Sequence, residues 1–133
     1  MNQELQQKYF EYQVLDQQVK QMHHQLTLMQ QQITELVKLG EAIEEISKVK
    51  DKTKLFCPLG GGVFVEAELT KKDRVLVNIG ADTAAFKSPV DAKKSVDEQI
   101  KEINDVISKL ESELSETVVK QQELQQDILK AKE

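Results

Sequence analysis

The 133-residue chain has no tryptophan, two prolines, five glycines, one cysteine and few aromatic residues of any kind (5%). Each scarcity excludes something. Only 39% of residues are hydrophobic, against the ~45–50% apolar usage of ordinary soluble domains, so a thick globular core is not expected. So little glycine and proline argues against a collagen-like chain or a low-complexity linker. A lone Cys57 cannot close an internal disulfide, and a reducing, cytoplasmic setting follows as the expectation. No apolar run approaches the ~18–20 residues that cross a bilayer, and no basic-then-apolar leader opens the chain, so neither a membrane span nor export is expected.

Charge is plentiful, at 31% of residues with a formal net of −5. Residues 1–46 carry −4, residues 47–87 carry +3 and residues 88–133 carry −4. Acidic arms therefore flank a mildly basic middle. The middle lysines are scattered, without a basic stripe or aromatic platforms, which makes the chain a poor candidate for gripping nucleic acid.

The arms are periodic. Leu5, Tyr12, Val19, Leu26 and Ile33 recur at seven-residue steps, and so do Leu15, Met22, Met29, Leu36 and Ile43. The two series interleave by three and four residues, the a/d spacing of a left-handed coiled coil. Gly40 falls on an a position, where it costs about 1 kcal/mol of helix stability relative to alanine and marks either a close approach or a bend. The second arm repeats the pattern with Ile100, Ile107, Leu114, Gln121 and Ile128 at a, and Val96, Ile103, Leu110, Thr117, Leu124 and Ala131 at d. Ser88, Pro89 and Asp91 mark its start as cap, first helical residue and capping-box acid. Thr117 and Gln121 make the seam polar near the C-terminal tip; they either set register or let that end loosen. Each helix would span about 60–70 Å. Two matched arms joined by a short middle fold back most simply as an antiparallel hairpin, since the connection keeps the second arm near the first.

Between the arms the period falls from seven to two. Val63, Val65, Ala67 and Leu69 alternate with Phe64, Glu66 and Glu68, and Val75, Val77 and Ile79 alternate with Leu76 and Asn78. Leu55-Phe56-Cys57 before Pro58–Gly62, and Thr83–Phe86 after Gly80-Ala81-Asp82, read as shorter strands around glycine-containing turns. The expected class is α+β: a long coiled-coil hairpin (helices over 1–50 and 89–133) with two β-hairpins over 53–88, the whole forming one domain. So small a sheet cannot cover its own faces or edges. Its strands, through Val63, Val65, Leu69, Val75, Val77 and Ile79, are expected to join those of other subunits in a shared β-barrel hub.

No catalytic constellation emerges. Gly60-Gly61-Gly62 lacks the Lys-Ser/Thr and following helix of a phosphate-binding loop. His23 and His24 are adjacent on a helix and cannot chelate one metal together. Cys57 has no neighbouring histidine or second cysteine and is expected to pack as a small hydrophobe. The chain is expected to be no enzyme and to need no cofactor. The tips differ: Leu5, Tyr9, Phe10 and Tyr12 meet Leu124, Ile128 and Leu129 there, and Tyr9, Phe10 and Leu129 fall outside the seam. They are expected to leave an apolar surface open to other proteins.

The stretch FCPLGGGVFVEAEL, followed by RVLVNIGADTAAFKS and a Ser-Pro-capped helix, resembles the double-hairpin region of the archaeal prefoldin alpha class, and the resemblance covers arm, sheet and arm. Cys57 stands where such stretches often carry valine. The resemblance implies a hexamer with prefoldin beta subunits, two alpha to four beta, whose coils hang from a double barrel. It also implies ATP-independent holding of unfolded client proteins at the tips and their delivery to a group II chaperonin. A structural scaffold or a filament-forming prefoldin-like subunit is the alternative, since a related gamma type forms filaments.

Overall fold

The computed structural model describes residues 2–132 of the chain. Helix α1 runs over Gln3–Lys48, four strands follow as β1 (Lys54–Gly60), β2 (Val63–Glu68), β3 (Val75–Gly80) and β4 (Thr83–Lys87), and helix α2 runs over Pro89–Lys132. This is the expected α+β hairpin of two long helices with two small antiparallel β-hairpins between them. Each helix begins at a side-chain cap. Asn2 Oδ1 accepts from the Leu5 amide at 2.8 Å, and Ser88 Oγ accepts from the Asp91 amide at 3.1 Å. Each cap satisfies a donor that the first helical turn leaves without a partner.

Two compact units can be distinguished. In the first, α1 through Thr34 packs with α2 from Lys101 onward. Its core is Leu26, Ile107 and Leu110, each 8% exposed, with Met22, Met29, Ile33, Ile103 and Leu114 packed around them. Every one occupies an a or d position, so the seven-residue period is the seam. No large side chain among the described residues is fully buried, as a two-helix seam requires: each knob is open to water at one flank. Both polar seam residues are satisfied. Gln121 Nε2 donates to Asp16 Oδ1 at 3.2 Å, and Thr117 Oγ1 donates to the Glu113 carbonyl one turn back at 2.8 Å. The first of these bonds ties α2 to α1 and favours a register-setting role for Gln121.

The second unit is Glu35–Ile100. Here Ala92 and Val96 are 4% and 5% exposed, and Gly40 is buried. A Cβ built on Gly40 would meet Val96 Cγ1 at 3.8 Å, an ordinary contact, and α1 continues through the position as helix. Gly40 is thus buried with room for a β-carbon, so neither a close approach nor an interruption of the helix calls for glycine there. The strands form two separate two-stranded sheets, β1–β2 and β3–β4. Lys54↔Glu68 through Pro58↔Phe64 pair in the first and Val75↔Lys87 through Asn78↔Ala84 in the second, and each ladder shifts just before its turn. The linker into β1 is tied to the end of β2: the Lys52 amide donates to the Leu69 carbonyl and the Leu69 amide to the Thr53 carbonyl.

Three details depart from the sequence reading. Strand β1 continues through Pro58 to Gly60, because a hairpin strand has an unpaired edge on which a missing N–H costs nothing. Leu59 and Ile79 fall at the register shifts, so Ile79 leaves the alternation that Val75 and Val77 begin. Val63 and Val65 are 57% and 45% exposed, and only Ala67 and Leu69 of that series are half-buried.

Candidate functional site

Two surfaces of the described chain present apolar groups to solvent. The hairpins hold eight of the 17 exposed large hydrophobic side chains: Phe56, Leu59, Val63, Phe64 and Val65 on β1–β2, and Leu76, Ile79 and Phe86 on β3–β4. Of the six strand residues singled out by alternation, Val63, Val65 and Ile79 are exposed, while Leu69, Val75 and Val77 are half-buried. Val75 and Val77 line an apolar groove of the same chain with Leu39, Ile43, Ala92 and Val96. Phe56, Phe64, Leu76 and Phe86, on the opposite faces, were missed because the alternation rule assigns a strand only one apolar face. On Phe86 the Arg74 guanidinium lies 4.1 Å from the ring centroid. Cys57, expected to pack, is exposed on β1 opposite Val65.

The ends of the helices form the second surface. Leu5, Tyr9, Tyr12 and Leu124 are half-buried, Ile128 is buried at 6% exposure, and Phe10 and Leu129 are 67% and 57% exposed. The structure therefore divides the seven tip residues. Ile128 is a seam residue and presents little surface, whereas Phe10 and Leu129 stand open as their positions outside the a/d series imply. Tyr9 is partly covered by α2, with Lys132 Nζ 5.3 Å from its ring centroid. Phe10, Val14, Leu15 and Leu124 floor an open groove between the helices, edged by Glu11, Lys120, Glu123 and Asp127. Leu129 does not line it. Val14, 40% exposed, escaped the sequence reading; its spacing of four from Phe10, outside the seam, was the available signal.

Among the described residues one ion pair, Lys93–Glu44, links α2 to α1. Glu44 accepts a hydrogen bond from Lys93, which holds its carboxyl below the usual range and raises the ammonium above its own. Asp16 is likewise held low, first by Lys20 at 3.1 Å and then by Gln121. No group of three or more histidine, cysteine or acidic residues is placed to hold a metal ion among the described residues. His23 and His24 are both exposed along α1. No described helix is long and apolar enough to cross a membrane.

The fold defines a class of protein: a two-helix coiled-coil hairpin that carries two β-hairpins between its helices. It aligns with a chain from the cryo-EM structure of filamentous PFD from Methanocaldococcus jannaschii, at TM-score 0.76 and 18% identity, over 92% of this chain and 98% of that one. A family model described as Prefoldin subunit matches residues 15–131. Prefoldin subunit alpha of Methanococcus aeolicus is 28% identical over 128 residues, covering 96% of this chain and 87% of the relative. Prefoldin subunit alpha of Pyrococcus horikoshii is 29% identical, covering 94% and 90%, and that of Methanococcus maripaludis is 33% identical, covering 77% and 74%. The chain belongs to the prefoldin family, and the three relatives just described are alpha subunits.

Proposed function

We propose that the chain is a subunit of an ATP-independent chaperone that holds unfolded proteins at the ends of its helices and delivers them to a group II chaperonin. The observation that carries this is the open apolar groove at Phe10, Val14, Leu15 and Leu124, on a chain of a non-enzymatic chaperone family. Coiled-coil seams normally hide such residues, and an exposed aromatic beside them marks a surface that meets other proteins. Single contacts there are weak and quickly released. Several tips acting on one non-native chain would hold it by avidity.

Assembly with beta subunits, two alpha to four beta, would cover the exposed hairpin faces and bring the tips together. Such a complex would act in the cytoplasm. Phe56, Phe64, Leu76 and Phe86, together with Val63, Val65 and Ile79, are the residues available for those contacts. Removing residues 1–10 and 124–133 tests the reading. Native mass should be retained while suppression of a denatured client's aggregation is lost; full suppression by an intact assembly would reject it. A scaffold or filament subunit without client binding is the second possibility, favoured by the apolar area on the hairpins alone. It requires ordered polymers of this chain by itself and no protection of clients.

A further inference from the structure

The groove at the helix ends carries more information than its apolar floor. Around Phe10, Val14, Leu15 and Leu124 stand three carboxylates, Glu11, Glu123 and Asp127, and a single ammonium, Lys120. The ion pairs found among the described residues are Lys20–Asp16, Lys54–Glu66 and Lys93–Glu44, so none of the three carboxylates is neutralised by a cation within 4 Å. The rim is net negative, and its exposed charges border an apolar surface.

From this we infer that the groove selects, among apolar segments of non-native polypeptides, those that also carry lysine or arginine. The inference rests on the proposed client-binding role and specifies its substrate class. Lysine and arginine suit the site on two grounds. Their aliphatic stems lie along apolar surface while the charged heads reach the carboxylates at the edge. An acidic segment of equal hydrophobicity would bring like charges together over the same floor, which costs affinity and slows encounter. Apolar contact would then supply the affinity and the rim would supply the choice.

The test uses the full chain and two short fluorescent peptides with identical apolar residues, one bearing lysines and the other glutamates at the same positions. Fluorescence anisotropy should show the lysine peptide binding roughly fivefold to tenfold more tightly at low salt, with the gap narrowing as salt is raised. Combining Glu11→Gln, Glu123→Gln and Asp127→Asn should erase the gap. A control with Glu98→Gln, Glu102→Gln and Asp105→Asn changes net charge equally on exposed α2 positions and should preserve it. Equal binding of both peptides, or a gap that survives the rim substitutions, would overturn the selection. If such equal binding still falls on Phe10→Ala, only the selection fails. If neither peptide binds, or Phe10→Ala changes nothing, the client-binding role of the groove fails with it.

Discussion

In β1–β2 the chain turns through Gly60, Gly61 and Gly62, with φ of 117°, 56° and 80°; in β3–β4 it turns through Gly80, Ala81 and Asp82, with φ of 104°, 50° and 58°. Both ladders shift register immediately before the turn, at Pro58/Gly60 and Asn78/Gly80. The hairpins thus share one backbone plan, a shift followed by a two-residue turn of positive φ, whose twist matches that of the flanking strands. They differ in what surrounds them. Val75, Val77, Ala85 and Lys87 form a half-buried face of β3–β4, whereas β1–β2 leaves Phe56, Leu59, Val63, Phe64 and Val65 in solvent. One hairpin is partly completed by its own chain. The other half-buries Leu55 and Ala67 and depends on neighbours to cover its five exposed large apolar side chains.

The largest expected effect follows from that dependence. Phe56→Asp with Phe64→Asp should abolish assembly with other prefoldin subunits, read as a fall in native mass by sedimentation velocity with helicity retained. Buried aromatic anchors at interfaces are worth roughly 2 kcal/mol or more each. Leu76→Asp with Phe86→Asp should weaken assembly less, because β3–β4 offers fewer exposed apolar groups. The reverse order would break the distinction between the hairpins.

Cys57 and Val77 occupy matching places in the shared plan, three residues before Gly60 and Gly80. Val77 lines the groove with Leu39, Ile43, Ala92 and Val96, while Cys57 is exposed. Val77→Asp should destabilise the chain by about 2 kcal/mol in urea denaturation, since a carboxylate would lose water beside apolar groups. Cys57→Asp should stay within about 0.5 kcal/mol of the parent chain under the same conditions.

These differences show where the sequence was informative. Heptad spacing located the seam because helical burial is set by the chain's own geometry: Leu26, Ile107 and Leu110 are buried where the period puts them. Alternation located four strands and two hairpins for the same reason. It could not tell which faces are covered, since that depends on what packs above a strand. Phe64, which alternation set opposite Val63 and Val65, is as apolar as the side it opposes. The tip was legible as far as Phe10 and Leu129. The groove was legible only in part: pairing the arms brought Phe10 and Leu124 to one end, but Val14, four residues from Phe10 and outside the seam, was not singled out.

The turns allow a finer comparison of the hairpins. Ala81 holds a positive φ that costs a β-carbon-bearing residue about 1 kcal/mol or more. Ala81→Gly removes that cost but adds unfolded-state entropy, so a net gain of about 0.5 kcal/mol is expected. Gly61→Ala should move the other way by about 1 kcal/mol. Gly80→Ala, at φ 104°, lies farther from the conformations open to alanine and should cost about 1–2 kcal/mol. Thermal melts of the three variants measure this. Equal responses in both turns would mean that the tight turn is not what fixes either ladder.

The smallest effect separates the helix pair from the hairpins by pH. Glu44 is held below the ordinary carboxylate range by the Lys93 hydrogen bond and charge, and no hairpin pair has an equivalent: Lys54 and Glu66 approach only to 3.8 Å with both side chains exposed. A depressed folded-state pKa means that Glu44 contributes its full stabilisation above the unfolded value of about 4.3. That contribution is lost as pH falls through the lower folded value. Lys93, raised in the folded chain, contributes fully below its unfolded pKa and loses its share only as pH rises through the folded one. Across neutral pH the pair should therefore leave stability flat. The Glu44→Gln chain should have a lower melting temperature than the parent at neutral pH and converge with it as the pH falls below the carboxylate range. Solvent on both side chains keeps the difference small, and added salt should reduce it further. Lys54→Gln should change neither limb. A shared acid dependence in the two variants would show instead that the acid response belongs to the chain's net charge rather than to this contact.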